Sequence, residues 1–349
     1  MRKRPSIAGH AEATVSALHQ VEVAELKGKL ADANERYKHA VALYREADDR
    51  LNAILGLKEA VSNTAPKHLK VKASGKSGES TAVLVASDWH VEERVDPRGV
   101  DGVNEYSPEI AEERVTRFFQ TGLSMVEMCR TRGRIDTLVL AVLGDLITNT
   151  IHDDLAESNY LSPTEASLKA YRLLCGGIDF LLREGRFKKI LVPCCVGNHG
   201  RTTRKPRVST ATRNSYEWLM YHVAAERYAG DARVEFSVTD GYFNFLDVYG
   251  YTVRFHHGDA VKYQGGVGGV TIPLNKAIAQ WNKMRKVYLD VLGHWHTQLS
   301  GREFVLNGSL IGYNAYSIAI KASYEPPSQS FFTIHPRYGK AVEIPIHVE

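Results

Sequence analysis

Asp88, His90, Asp145, Asn198, His257, His294 and His296 are the residues of this chain whose types and placement could hold metal ions. All of them follow closely on apolar runs. TAVLVAS leads into Asp88-Trp89-His90, IDTLVLAVL into Gly144-Asp145, and KKILVPCCV into Gly197-Asn198-His199. YTVRF leads into His256-His257-Gly258-Asp259, and VYLDVL into Gly293-His294-Trp295-His296. Carboxylate, amide and imidazole ligands suit manganese, zinc or iron, and the lack of a thiolate among them argues against a structural zinc site. A pair of cations roughly 3.5–4 Å apart can bind a phosphate, make hydroxide available near neutral pH and stabilise an in-line displacement. The chemistry to expect is therefore hydrolysis of a phosphate ester. Asp-x-His and His-x-His are expected to put both ligands on one side of an extended segment. In the HHGD segment His256 and His257 compete for one role, and strand alternation turns them to opposite faces.

The elements that must position these residues are short β-rich runs alternating with helices. The five runs are expected as strands, with helices near 108–130 and 163–184 and another carrying Trp281. Further strands are expected at 233–238, 242–248, 251–257, 287–292, 303–306 and 330–335. This is the layout of an α/β sandwich, in which a site forms beyond the carboxyl ends of the strands. Gly144, Gly197, Gly258 and Gly293 let the chain turn sharply there.

Before this lies a segment of another kind. Val23, Leu26, Leu30, Ala33, Tyr37, Ala40, Tyr44, Ala47, Leu51 and Ile54 recur at steps of three and four, the period of a coiled-coil seam. The expected organisation is an oligomerising helix within 1–61, a Pro-, Gly-, Ser- and Lys-containing linker at 62–80, and a catalytic domain at 81–349. A helix folded back onto its own domain is the alternative to association between subunits.

With 349 residues, 44% of them hydrophobic, and a net charge of +4, the chain has a globular composition and only a mild basic bias. Charge alone therefore identifies no nucleic-acid partner. The 4 cysteines contain no CxxC pair and read as reduced core thiols. Basic residues at the N-terminus have no apolar stretch behind them, and no run approaches the ~18 apolar residues of a membrane span. A cytoplasmic protein without membrane association is expected.

The ordered set DWH, GD, GNH, HG and GHWH, spread over roughly 81–310 and followed by Asn307-Gly308-Ser309, resembles the calcineurin-like metallophosphoesterases. The motif order is similar to that of Mre11/SbcD-type nucleases and of phosphoesterases carried by bacteriophages, which would place the protein in the cytoplasm of a bacterial host. The resemblance implies a four-layer α/β/β/α sandwich. It implies a first metal on Asp88, His90, Asp145 and His296, and a second on Asp145, Asn198, His257 and His294, bridged by Asp145. The ions expected are two divalent cations, Mn2+ first, with Zn2+, Fe2+, Ni2+ or Mg2+ as alternatives. His257 is preferred over His256 because the family's ligand directly precedes the glycine. His199 is implied as the catalytic residue near the leaving group. Family members commonly carry Asp or Glu after GNH, and this chain has Gly200, which leaves Asp153, Asp154 or Asp240 to orient His199.

After His199 comes GRTTRKPRVSTATR, with Arg201, Arg204, Lys205 and Arg207 and no acidic residue. Beside a metal centre these side chains would bind phosphates flanking the scissile one; a solvated basic loop is the plainer reading. The glycine-rich stretch 263–269 could cradle phosphate or act as a lid. The leading expectation is a nuclease acting on DNA or RNA phosphodiesters. The alternatives are a phosphomonoesterase for nucleotides or phosphoproteins, and a non-catalytic coiled-coil interaction protein on a metal-stabilised scaffold.

Overall fold

The computed structural model describes residues 26–39, 42, 68–75, 78–262 and 269–349. The chain divides into two compact units, Met1–Asn63 and Thr64–Glu349. In the first, residues 26–39 form a helix, α1, whose exposed Asp32 and Arg36 pair at 2.8 Å one turn apart. Most of the proposed coiled-coil seam lies outside the described residues.

The second unit is built on two six-stranded sheets. One has the order β12 (Gly339–His347), β11 (Ser328–His335), β2 (Glu79–Ala86), β3 (Arg134–Val142), β4 (Lys189–Cys194), β5 (Val234–Val238). Strands β2 to β5 run parallel, and β11 and β12 close the sheet antiparallel. The other has the order β1 (Leu69–Val71), β6 (Asn244–Val248), β7 (Tyr251–His256), β8 (Leu289–Leu292), β10 (Phe304–Leu306), β9 (Leu299–Ser300), with β7, β8 and β10 parallel.

Alternation along the strands assigns the layers. Val83, Val85, Val139 and Ala141 of the first sheet meet Val253, Phe255, Leu289 and Val291 of the second in one buried cluster. The opposite face of the first sheet, with Leu84, Leu138 and Leu140, is covered by α2 (Pro108–Arg130), α4 (Pro163–Glu184) and α5 (Tyr216–Arg227). The far side of the second sheet takes Leu274 and Ile278 of α6 (Thr271–Trp281). The order is helix, sheet, sheet, helix. Two further short helices, α3 (Asp153–Ser158) and α7 (Ala315–Ala319), lie in loops.

Local signals explain the main helices. Ser107 accepts the Ile110 N–H ahead of Pro108 at the start of α2, and Ser162 and Glu165 form a reciprocal capping box ahead of α4. Ala166, Ala170, Leu174 and Ile178 then recur every fourth residue as the buried stripe of α4. Adjacent Cys194 and Cys195 point into different layers, the first toward the helices and the second between the sheets.

The expected linker needs correction, because Leu69–Val71 within it form β1, an edge strand parallel to β6. Leu69 is buried and Lys70 exposed, so the alternation of HLKVK is that of a half-buried strand. Among the described residues no helix is long and apolar enough to cross a membrane.

Candidate metal centre

Parallel β2, β3 and β4 are neighbours, so the loops after them, carrying Asp88 and His90, Asp145, and Asn198, emerge side by side. Parallel β7 and β8 do the same for His257, His294 and His296 on the facing sheet. The ladder continues past the strand ends: Asp88 N–H donates to Gly144 O at 3.0 Å, His90 N–H to Asp145 O at 3.2 Å, and Gly293 N–H to His257 O at 2.8 Å. Two loops meet backbone to backbone, since a Cβ on Gly144 would lie 2.1 Å from Gly197 N and one on Gly197 would lie 2.0 Å from Asp145 Oδ1. Only glycine permits that approach.

Two groups of ligand atoms result. Asp88, His90 and His296 form one, and Asp145, His257 and His294 the other. Asn198 joins the second through its Oδ1, 3.1 Å from His257 Nε2. The expected extended backbone is absent from both Asp-x-His and His-x-His, and the expected placement of both ligands on one side holds for Asp88 and His90 but not for His294 and His296. Asp88 (φ 54°), His90 (φ 49°), Asp145 (φ 51°), His294 (φ 73°) and His296 (φ 51°) all have left-handed backbones. His294 and His296 go to different groups. Such conformations are costly for non-glycine residues and concentrate where surrounding structure enforces a site.

Hydrogen bonding sets the imidazole tautomers. His257 Nδ1 lies 2.8 Å from Leu143 O, which can only accept, so Nδ1 carries a proton and Nε2 is the atom turned toward the site; burial pulls this imidazole down, but the Asp145 carboxylate outweighs it and holds His257 well above its usual range. That Nε2 faces Asp145 Oδ2 at 2.9 Å, Asn198 Oδ1 at 3.1 Å and His294 Nδ1 at 3.3 Å. His90 Nδ1 lies 2.9 Å from Thr148 Oγ1, which donates its own proton to Glu93 Oε2 at 3.0 Å; His90 Nδ1 must then donate. His90 Nε2 is left buried with no hydrogen-bond partner. Burial, then the neighbouring His199 and His296, hold His90 well below the usual imidazole range. A buried, neutral, outward-facing imidazole nitrogen beside carboxylates is the donor that a divalent cation requires. The residues fit two such ions.

Several groups that support the site carried no signal in the sequence motifs. Ser87 Oγ donates to Asp88 Oδ2 at 2.5 Å and accepts from Asn307 Nδ2 at 2.8 Å, which gives the Asn307-Gly308-Ser309 turn its place. Glu93 accepts from Asn314 Nδ2 at 2.8 Å as well as from Thr148. Glu92 Oε1 accepts the N–H groups of Thr148 and Asn149 at 2.9 and 2.6 Å, and burial pushes this carboxyl up to about 7. Glu217, on the first turn of α5, accepts from Leu146 N–H and Gly197 N–H. Burial and then the Asp145 carboxylate push it upward, while those donors pull it back.

His199 lies beside both groups: its N–H donates to Asp145 Oδ1 at 2.7 Å and its ring is 5.0 Å from that of His90. None of the carboxylates considered for it carries that task in the hydrogen bonding. Asp153 binds Arg204, Asp240 binds Arg213 and Trp218, and His199 Nδ1 instead donates to Thr148 O at 2.8 Å. A backbone carbonyl thus fixes the ring, for which the sequence holds no side-chain marker.

His256, by alternation, faces α6 with Arg254. Its ring packs among Trp281, Phe243 and Tyr242, with Nε2 3.3 Å from Asp290 Oδ1. Arg254 meets the same carboxylate at 2.6 and 3.0 Å, fully buried, under the rings of Phe243 and Trp281. Asp290→Ala leaves that guanidinium without its counter-charge. It is expected to lower stability by roughly 3–5 kcal/mol in chemical denaturation of the metal-free protein.

A cleft of about 500 Å³ adjoins the centre, lined by Asn198 and His294 together with Arg201, Arg204, Lys205 and Lys262, and by Asp153 and Asp259. Arg201 is half-buried and pinned by Thr203 O, Asn198 O and Arg204 O. Arg204 is engaged by Asp153 at 2.9 Å, and Arg207 is exposed and does not line the cleft. Residues 263–268, most of the glycine-rich stretch, lie outside the described residues.

Fold and site together define a two-sheet sandwich with paired metal-ligand groups at one end of its strands. No protein-family model matches the chain and no curated protein matches it. Among solved structures, a hypothetical protein from Pyrococcus horikoshii is similar at a TM-score of 0.37 and 12% identity, over 77% of this chain and 89% of that one. A dimetal phosphatase from Danio rerio is similar at 0.36 and 12%, over 77% and 99%. Vps29 of Chaetomium thermophilum is similar at 0.27 and 12%, over 77% and 98%. Likenesses this distant carry no weight for function, which has to be argued from the site.

Proposed function

We propose that this chain is a dinuclear-metal phosphoesterase of the calcineurin-like type that hydrolyses phosphodiesters in nucleic acid. The observation carrying the reading is the pair of neighbouring ligand groups, with the Asp145 charge of one acting on His90 of the other and His199 and a basic cleft beside them. Asp88, His90, Asp145 and His296 would hold one divalent ion, and Asp145, Asn198, His257 and His294 the other, with Mn2+ the first choice. Two such ions supply charge neutralisation and a hydrolytic water near neutral pH.

The protein's own residues do the rest. Arg201, its guanidinium held by three carbonyls, is set to meet a phosphate oxygen at low entropic cost. Lys205 and Lys262 add positive charge for flanking phosphates. Water oxygen bonds to phosphorus and loses a proton to solvent, the ester P–O bond breaks, and the departing oxygen takes the Nε2 proton of a doubly protonated His199, which regains one from solvent. With Nδ1–H given to Thr148 O, the ring offers Nε2 for that transfer.

The test is to strip the protein, add Mn2+, and compare products from single-stranded DNA, duplex DNA, RNA and phosphomonoesters. Cleavage of a polynucleotide supports the proposal. Failure on every substrate with manganese, zinc, iron, nickel and magnesium sinks it. A phosphomonoesterase is the second reading, favoured by the engagement of Arg204 with Asp153, which leaves less free positive charge in the cleft. Binding data separate the two. Replacing Arg201 and Lys205 by Ala is expected to weaken nucleic-acid binding uniformly and lower the salt slope by about 1 per lost phosphate contact, with little effect from Arg207→Ala. An unchanged salt slope assigns the loop to solvent.

A further inference from the structure

The position after His199 is empty of side chain, and something else occupies its space. A Cβ on Gly200 would lie 2.7 Å from Glu217 Cγ, 2.9 Å from its Cδ and 2.8 Å from Ser215 Oγ. Glu217 is completely buried. Its Oε1 accepts the N–H of Leu146, the residue after Asp145, and its Oε2 accepts the N–H of Gly197, the residue before Asn198, both at 2.7 Å. One carboxylate therefore joins the two loops that deliver Asp145 and Asn198. The side chain is itself held in place: Ser215 Oγ accepts Glu217 N–H at 3.2 Å, and Tyr216 N–H donates to Gly200 O at 2.8 Å, tying the start of α5 to the loop of His199.

We infer that Glu217 is a positioning residue of the metal centre, its carboxylate reaching from α5 into the space over Gly200 to brace the two loops that deliver Asp145 and Asn198. The inference rests on the reading of the site as a two-metal centre. Asp145 has a left-handed backbone that it does not adopt by preference, and its Oδ1 packs against the Gly197 backbone. The spacing of Asp145 from Asn198 then depends on what fixes the two flanking N–H groups. Buried carboxylates that orient metal ligands through hydrogen bonds commonly contribute 10–100-fold in metal affinity.

Glu217→Gln keeps the shape but turns an amide NH2 toward one of the two N–H donors, and Glu217→Ala removes both acceptors. Both variants of the full chain are expected to bind Mn2+ roughly 10–100-fold more weakly than the parent in equilibrium dialysis. The decisive arm is rescue. Gly200→Glu in the Glu217→Ala background places a carboxyl two bonds from the new Cβ, in the space Glu217 vacates, and is expected to restore Mn2+ affinity. Gly200→Glu alone is expected to weaken binding, because both side chains then compete for one space.

Parental Mn2+ affinity in Glu217→Gln and Glu217→Ala overturns the inference. So does weak binding in the single variants that Gly200→Glu fails to rescue, whether or not their melting temperatures fall, since Glu217 is then only a core residue. A parent protein that binds two Mn2+ ions yet cleaves no phosphoester defeats the proposed function while leaving the role of Glu217 to stand.

Discussion

Asp145→Asn is expected to abolish hydrolysis and to reduce metal binding by more than the roughly 10–100-fold typical of losing a supporting hydrogen bond. Asp145 Oδ2 lies 2.9 Å from His257 Nε2, and its Oδ1 accepts the N–H of His199 at 2.7 Å. Its charge also acts on His90 in the other ligand group. Asp88 reaches across in the opposite direction, its carboxylate accepting the His294 N–H at 3.0–3.1 Å, so the two carboxylates knit the groups together. The substitution keeps size and shape, and Asn tolerates the left-handed backbone that Asp145 adopts at φ 51°. The fold should therefore survive, so lost turnover reports lost charge rather than unfolding. Mn2+ stoichiometry by equilibrium dialysis and thermal unfolding of the metal-free protein check the two parts. Two ions bound with undiminished turnover would show that Asp145 does not bridge.

His199→Ala should behave differently, with kcat falling roughly 10²–10⁴-fold and Mn2+ affinity nearly unchanged. The ring is fixed through Nδ1 by Thr148 O, and its contact with Asp145 runs through the backbone N–H, which alanine retains. If the ring protonates the leaving oxygen, an ester of an acidic phenol should lose little rate and an ester of an alkanol much. Equal losses on both would assign His199 to holding the phosphate instead.

The legible parts of this molecule are those where a residue acts through its immediate neighbours. Apolar runs ending in metal-ligand residue types mark β2, β3, β4, β7 and β8, because burial on both faces leaves few polar residues within a strand. The stretch Leu69–Val71 was hidden because three residues of edge strand among Lys, Ser and Gly have too little period to stand out. Helix α5 leaves a weak signal as well, because Tyr216, Trp218, Tyr221 and His222 blur its apolar face.

The seven candidate ligands, their types and their places beyond the strand ends are legible in the sequence, since alternation and strand length are local properties. Alternation also turned His256 away from His257, and the packing of Arg254, Asp290 and Trp281 around it gives that turn its setting. How the ligands divide into two groups follows from the family resemblance and from the tertiary structure, and not from residue spacing. His294 and His296 split between the groups while Asp88 and His90 share one, although all four have left-handed backbones. The tertiary structure alone put Thr148 O against His199 and Glu217 in the space over Gly200. Those contacts join distant parts of the chain, and the demand that buried donors and acceptors be paired is met in space, leaving no mark at neighbouring positions.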